Sequence, residues 1–327
     1  MTSPSPSLPR VPVIVCAKNE ARAITYTVEA LLRGRAFARD RFDLEIGVVL
    51  DDTTDESERV LRGYDGVVVA RSSGGKVEAQ RTGLATMRAR AGEREPWAVF
   101  CDADVIPSDD ALLALSSLLA ERPEVRVATC PLEPVAPRRH GPLARALHTY
   151  NRRRGFSSSR TWFNGKLFAI RDWCVPTPGE LAERASKLPH DPFYDYEAGI
   201  VIDDIFLSRA IVAGYGPGAI AETREGVVRY RAPETWRGMN RYYKRMRREL
   251  ERLDRLLPET ADVHRTHGRR RQDLLEEAPL HERLHHAIFA GALLSCRAAY
   301  VAERAWVRHV TRAPRAWWRP IEETKAW

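Results

Sequence analysis

The chain has 327 residues, and its 44% hydrophobic content excludes a mainly disordered polymer while leaving room for one large domain or one domain with a helical appendage. Lys and Arg number 52 against 44 Asp and Glu, a formal net charge of +8, and residues 229–271 alone hold 14 basic against 6 acidic side chains. So local an excess points to a local anionic partner, such as a diphosphate, an acidic lipid surface or nucleic acid, rather than to a uniformly cationic shell.

Cys16, Cys101, Cys130, Cys174 and Cys296 form an odd set without a Cys-x-x-Cys pair, so neither a disulfide framework nor a zinc knuckle is indicated. A reduced, cytoplasmic compartment is expected. Residues 1–10 read as a loose tail lacking the basic and apolar regions of a secretory signal. The longest apolar stretch, Ala287 to Ala302, is interrupted by Arg297 and falls short of the roughly 20 residues that span a bilayer, so no transmembrane helix is expected.

From Val11, short β-rich runs alternate with amphipathic stretches: VPVIVCA and a helix through Ala30, LEIGVVL and a helix from Thr54, GVVVA and a helix through Arg90, then WAVFC. Such alternation predicts a mostly parallel sheet with helices on both faces, and ligands in these folds sit at the carboxyl ends of the strands. The residues to read are therefore 17–20, 51–55, 72–76 and 102–104. Farther on, VRVATC and WFNGKLFAI read as strands, and residues 172–199 as loop. VIDDIFLSRAIVAGYG reads as a helix with Asp203 and Asp204 in its first turn, where they favour the helix dipole. A short strand at Gly226–Tyr230 precedes a long basic helix from Pro233 to about Leu257, and Pro279 to Arg308 is helical again. His285 and His286 on that last helix read as surface residues. The implied divisions are 11–130, 131–232 and a basic helical extension, 233–327.

Asp102 and Asp104 flank Ala103 directly after the apolar strand WAVF. Two carboxylates so spaced at a strand end can approach one hard cation, Mg²⁺ or Mn²⁺, bridging a diphosphate. Asp51 and Asp52 also follow an apolar run; helix capping by Thr54 or Asp55 accounts for one acid there, not three, and a carboxylate at this place can hold a ribose or a base N–H. Acids converging on one crevice repel one another unless a cation or a ligand joins them.

The ordered set AKNE, DDTTD, GGK and DAD resembles the nucleotide-sugar half of family 2 glycosyltransferases, enzymes of the GT-A fold. FNGKLFAIR resembles the family's acceptor-side strand, and Asp203-Asp204 followed by Leu207 and Arg209 resembles its acidic-pair helix, so the likeness runs over roughly residues 11–250. The resemblance implies a nucleotide pocket lined by Ala17, Asn19 and Glu20, with Asp51 or Asp52 on the base or ribose and Lys76 near the nucleotide. It implies Asp102 on the ribose or on metal-bound water, Asp104 on the metal, and Asp204 as catalytic base with Asp203 beside it; Asp195 is the reserve candidate for the base. Arg245 is the candidate diphosphate clamp through charge-assisted hydrogen bonds. The family's Gln-x-x-Arg-Trp element, typical of processive membrane-embedded polymerases, has Tyr242 and Arg245-Met246 in its place, which argues for transfer of a single sugar.

The expected enzyme thus moves one sugar from a UDP- or GDP-linked donor, with inversion and with Mn²⁺ or Mg²⁺, to a small-molecule, lipid or glycan acceptor. Nucleic acid is not expected as a partner, and the tail helix is open to a lid, a homodimer contact or a peripheral membrane contact. Two other readings compete. A sugar-phosphate nucleotidyltransferase would use a related sheet, but its glycine-rich loop is missing, since Cys16 to Arg22 contains no glycine. A noncatalytic binder of anionic polymer or membrane would work through residues 229–271.

Overall fold

The computed structural model describes residues 8–90, 94–155, 162–263, 279–311 and 324–325; most of the expected N-terminal tail and residues 264–271 of the basic segment lie outside these. The first half builds β1 (Arg10–Ala17), α1 (Ile24–Ala38), β2 (Asp43–Asp51), α2 (Ser57–Leu61), β3 (Val67–Ser72), α3 (Lys76–Arg88), β4 (Ala98–Asp102), β5 (Val105–Pro107) and α4 (Ala111–Glu121). Strands β1, β2 and β4 are apolar along nearly their whole length because helices cover both faces of the sheet. Gly83 lets α3 lie tightly on that sheet: a Cβ there would fall 2.5 Å from Cγ2 of Ile14.

The second half adds β6 (Val127–Thr129), β7 (Leu132–Pro134), α5 (Pro142–Gly155), β8 (Leu167–Ile170), α6 (Pro178–Ser186), α7 (Asp203–Tyr215), β9 (Ile220–Glu222) and β10 (Val228–Tyr230), then the long helices α8 (Trp236–Leu256) and α9 (Leu280–Trp306). The main sheet has the order β3-β2-β1-β4-β8-β6-β9, parallel except that β8 runs antiparallel to both neighbours, and β5, β10 and β7 form a small second sheet. This is the mostly parallel sheet flanked by helices, with a helical C-terminal extension, expected of a GT-A enzyme. Strand order reverses between β1 and β4, so the crevice at their carboxyl ends is where such a fold receives ligands.

Two expectations need correction. The stretch 172–199 is not all loop: Thr177 and Glu180 form a reciprocal capping box around Pro178, which starts α6. Helix α5 docks on the extension, its Tyr150 stacked on Phe289 of α9 at 3.7 Å between ring centroids. His286 is buried edge-on against Tyr150 rather than on the surface, and Nδ1 of His285 lies 2.9 Å from the Thr149 hydroxyl. Among the described residues, no helix is long and apolar enough to cross a membrane.

Candidate active site

Two strand ends, one turn and one helix start supply the acids. Asp51 closes β2, and Asp102 closes β4. Asp104 sits in the turn to β5, where the Thr27 hydroxyl of α1 lies 2.9 and 2.7 Å from the carbonyls of Ala103 and Val105 and fixes that turn. Asp203 and Asp204 open α7.

The loop after β1 is built to hold its neighbour. Asn19, in the left-handed region at φ 54°, accepts hydrogen bonds at Oδ1 from the backbone of Thr54 (2.8 Å) and Asp55 (3.2 Å). The Ala17 carbonyl accepts from the Thr53 hydroxyl at 3.2 Å. Asp55 accepts from Ala21 N at 2.9 Å and from Ser57 N at 3.0 Å, so it organises the loop ahead of α2, which starts two residues later. Asn19 and Ala17 thus shape the pocket wall through backbone contacts.

Asp51 is buried and accepts from Gly75 N at 3.0 Å. Gly74 and Gly75 take φ of 107° and 93°, conformations that side chains resist, and this brings the start of α3 onto Asp51 and aims Lys76 into the crevice. Asp52, exposed and at φ 42°, pairs with Lys18 at 3.3 Å, and the same ammonium lies 3.5 Å from Asp51.

Lys76 is the hub. Its Nζ lies 2.7 Å from Asp102, 3.1 Å from Asp203 and 3.4 Å from the Gly165 carbonyl. Burial disfavours its charge, but Asp102 and Asp203 outweigh burial and hold the lysine well above its ordinary value. Asp203 is buried at 2% exposure and accepts a second hydrogen bond from Gln80 Nε2 at 2.5 Å, while Gln80 Oε1 accepts from Trp173 at 3.3 Å. With two partners and no exposure, Asp203 orders the crevice floor.

Asp204 differs from its neighbour in every respect that matters chemically. It is only partly buried; Gly165 N donates to Oδ2 at 3.0 Å and Ile205 N to Oδ1 at 2.9 Å. A Cβ on Gly165 would fall 3.0 Å from Cβ of Asp204, so this approach needs glycine. Burial first, and then the charge of Asp203, push Asp204 up to about 6. A carboxylate so placed is ionised near neutral pH and still basic enough to take a proton, and each oxygen keeps a lone pair beyond its backbone partner.

Burial raises Asp104 as well; Lys166 opposes this, and Asp102 adds to it. Glu20 is buried at 8% exposure and pushed up to about 8 by burial and then by Asp104. The repulsion expected among the acids is therefore met in part by this chain's own lysines, with Lys18 on Asp51 and Asp52 and Lys76 on Asp102 and Asp203. At Asp104 it is burial that pushes the carboxyl up, while Lys166, Lys325 and Lys76 oppose the charge of Asp102. Hard oxygen donors crowded in this way suit Mg²⁺ or Mn²⁺. Among the described residues, no three His, Cys, Asp or Glu side chains converge to hold a metal alone, so such an ion would need ligands from the donor's phosphates and from water.

Arg245 lies on α8, its guanidinium 5.8 Å from the Tyr242 ring centroid. Asp195 accepts from Glu197 N at 3.1 Å within the loop before α7. Gln80, Lys18 and Gly165 join the residues expected from the sequence as working parts. Gly165 was visible inside FNGK; Gln80 was visible only as an unusual polar residue on the inner face of α3.

The basic helix turns out to be largely balanced. Lys244 and Arg248 pair with Glu303 of α9, Arg247 with Glu251, Arg252 with Glu249, and Arg255 with Asp191. This removes most of the free cationic stripe that a binder of anionic polymers would need.

Residues 13–175 match the family described as Glycosyl transferase family 2. No curated protein matches the sequence significantly. Among solved structures, a mannosyltransferase from Pyrobaculum calidifontis in complex with GDP-Man and Mn²⁺ is 19% identical, with a TM-score of 0.49 over 93% of this chain and 82% of that one. Glucosyl-3-phosphoglycerate synthase from Mycobacterium tuberculosis in complex with Mg²⁺ and UDP is 21% identical, with a TM-score of 0.46 over 76% and 80%. The same enzyme with Mn²⁺, UDP-Glc and phosphoglyceric acid is 19% identical, with a TM-score of 0.44 over 75% and 79%.

Proposed function

The chain belongs to glycosyl transferase family 2 through residues 13–175, and from that premise we propose that it transfers a single sugar from a UDP- or GDP-linked donor to an acceptor hydroxyl with inversion. The observation that carries this reading is the contrast between the two adjacent acids of α7. Asp203 is sealed against Lys76 and Gln80, while Asp204 stands partly open and is pushed up to about 6.

Residues 11–130 form the donor half and residues 131–232 the acceptor half. Ala17, Asn19 and Glu20 line the nucleoside pocket with Asp51 and Asp52. Asp104, with Asp102, holds Mn²⁺ or Mg²⁺, which when bound supplies Lewis-acid stabilisation of the leaving diphosphate. Lys76 orients Asp102 and keeps the floor of the crevice from repelling the incoming phosphates. Asp204 takes the proton of the acceptor hydroxyl as it attacks the anomeric carbon from the face opposite the diphosphate. Arg245 adds a guanidinium for the phosphates. Single transfer follows from the missing Gln-x-x-Arg-Trp element. The acceptor is a hydroxyl-bearing small molecule, lipid or glycan.

Thermal shift with UDP and GDP, with and without Mn²⁺, tests the donor site. The unsubstituted protein should be stabilised by one of the two nucleotides, more so with Mn²⁺, and Asp104→Ala should lose the metal-dependent part. Equal stabilisation of both proteins by nucleotide and Mn²⁺ would reject Asp104 as the metal residue.

A further inference from the structure

The chain returns to the donor crevice from an unexpected direction. Arg308, just past α9, forms a paired contact with Asp191 in the loop ahead of α7, its Nη2 2.5 Å from Oδ2. Lys325, seventeen residues farther along the sequence, lies against the loop after β1. Its ammonium pairs with Glu20 Oε1 and donates to the Lys18 carbonyl at 3.1 Å. The Lys325 side chain is 18% exposed and Glu20 is 9% exposed, so the contact is enclosed by the pocket wall. The charge of Lys325 acts also on Asp55 and on Asp104, three acids carried by three different loops.

We infer that Lys325 is a donor-site residue whose ammonium binds the diphosphate of the nucleotide sugar from the side opposite Asp102. This rests on the donor-site reading above and extends it to a part of the chain far from residues 13–175. Three arguments support it. A lysine and a divalent cation set on either side of a diphosphate divide its negative charge without sharing a ligand, and a lysine held on Glu20, close enough for its charge to act on Asp104, fits that division. Glu20 and the Lys18 carbonyl engage two of the three N–H groups of the ammonium and aim the side chain, which cuts the ordering cost of binding an anion. Lys18 and Lys76 each answer two acids, Lys18 Asp51 and Asp52 and Lys76 Asp102 and Asp203, whereas Lys325 pairs with one, Glu20.

The test uses the full chain and calorimetric titration with UDP, GDP and the matching nucleosides at fixed Mn²⁺. Lys325→Ala should weaken the preferred nucleoside diphosphate by about ten- to a hundredfold, the range for one hydrogen bond to a charged group, and leave the affinity for the nucleoside unchanged. Lys325→Arg should recover most of the loss. Unchanged or tighter diphosphate binding in Lys325→Ala overturns the inference, tighter binding marking the lysine as a self-ligand that competes with the donor. Equal weakening of nucleoside and diphosphate also overturns it, as the sign of a merely structural contact. Failure of the unsubstituted protein to bind any nucleotide would reject the donor-site reading itself, whereas a wild type that binds and a variant that binds equally well reject Lys325 alone.

Discussion

The crevice at the ends of β1, β2 and β4 and the helix pair α8 and α9 are the two most charged regions described, and they use charge in opposite ways. On α8, most of the basic side chains are met by acids: Glu249 and Arg252 are fully buried against each other, and Glu303 of α9 takes both Lys244 and Arg248. In the crevice, the lysines answer only some of the acids, and burial pushes Asp104, Asp204 and Glu20 up. A surplus counted along a sequence is thus no guide to free charge. The segment with the greater formal excess is the one whose charges are spent on its own structure, and the acid-rich strand ends, set in a chain of net positive charge, keep the unbalanced field that a cationic or phosphate-bearing ligand would feel.

The comparison is sharpened most strongly at Asp204, which is partly open and, unlike Asp203, accepts its hydrogen bonds from backbone N–H groups alone. Asp204→Asn should lower kcat on the order of 10²–10⁴-fold, the usual worth of a positioned base, with nucleotide affinity retained. The pH profile carries the sign. The carboxyl is raised to about 6, so below that pH it is protonated and cannot accept a proton; turnover in the parent enzyme should rise toward a plateau with a midpoint near 6. Steady-state rates from pH 5 to 8 check both. Undiminished turnover in the variant would return the base assignment to Asp195.

The two regions were also unequally legible in the sequence. Strands β1, β2 and β4 are read easily because burial on both faces writes them as unbroken apolar runs, and the residues just after them are then marked by position alone. The acidic pair of α7 is legible as a pair, but not the division of labour inside it. That division depends on Gln80, 123 residues away, and on Gly165, which no local pattern links to Asp203 or Asp204. Helix α6 is hidden because a nine-residue segment with a single buried apolar side chain, Leu181, has too short a stripe to show periodicity. Helix α8 was visible as basic and helical. Its buried arginines were not, since a guanidinium that turns inward to a glutamate three residues before it looks in sequence like any solvated charge.

That inward turn leads to the next effect in size. Glu249 Oε1 accepts from Val201 N at 3.0 Å and Ile202 N at 3.4 Å, and Arg252 Nη1 donates to the Asp195 carbonyl at 3.2 Å. The pair therefore anchors the loop that delivers Asp203 and Asp204 to the crevice. Glu249→Ala leaves Arg252 buried without its carboxylate and should cost about 3–5 kcal/mol of stability, read from chemical denaturation. A loss below about 1 kcal/mol would mean that the loop is held by its other contacts.

The smallest expected effect tests whether the outer face of α8, away from Arg245, binds anything through charge. Arg247 pairs with Glu251 one turn along at 2.9 Å and is half exposed, so Arg247→Ala should change stability by no more than about 0.5 kcal/mol. Glu251 keeps the Tyr194 and Tyr300 hydroxyls, each at 2.7 Å, so its carboxylate stays satisfied without the arginine. If the helix serves structure, donor affinity and its salt dependence should be untouched by this substitution. A marked drop in nucleotide affinity would instead show that the outer face of α8 contributes to the donor field, and the contrast between a spent basic helix and an unbalanced acidic crevice would have to be redrawn.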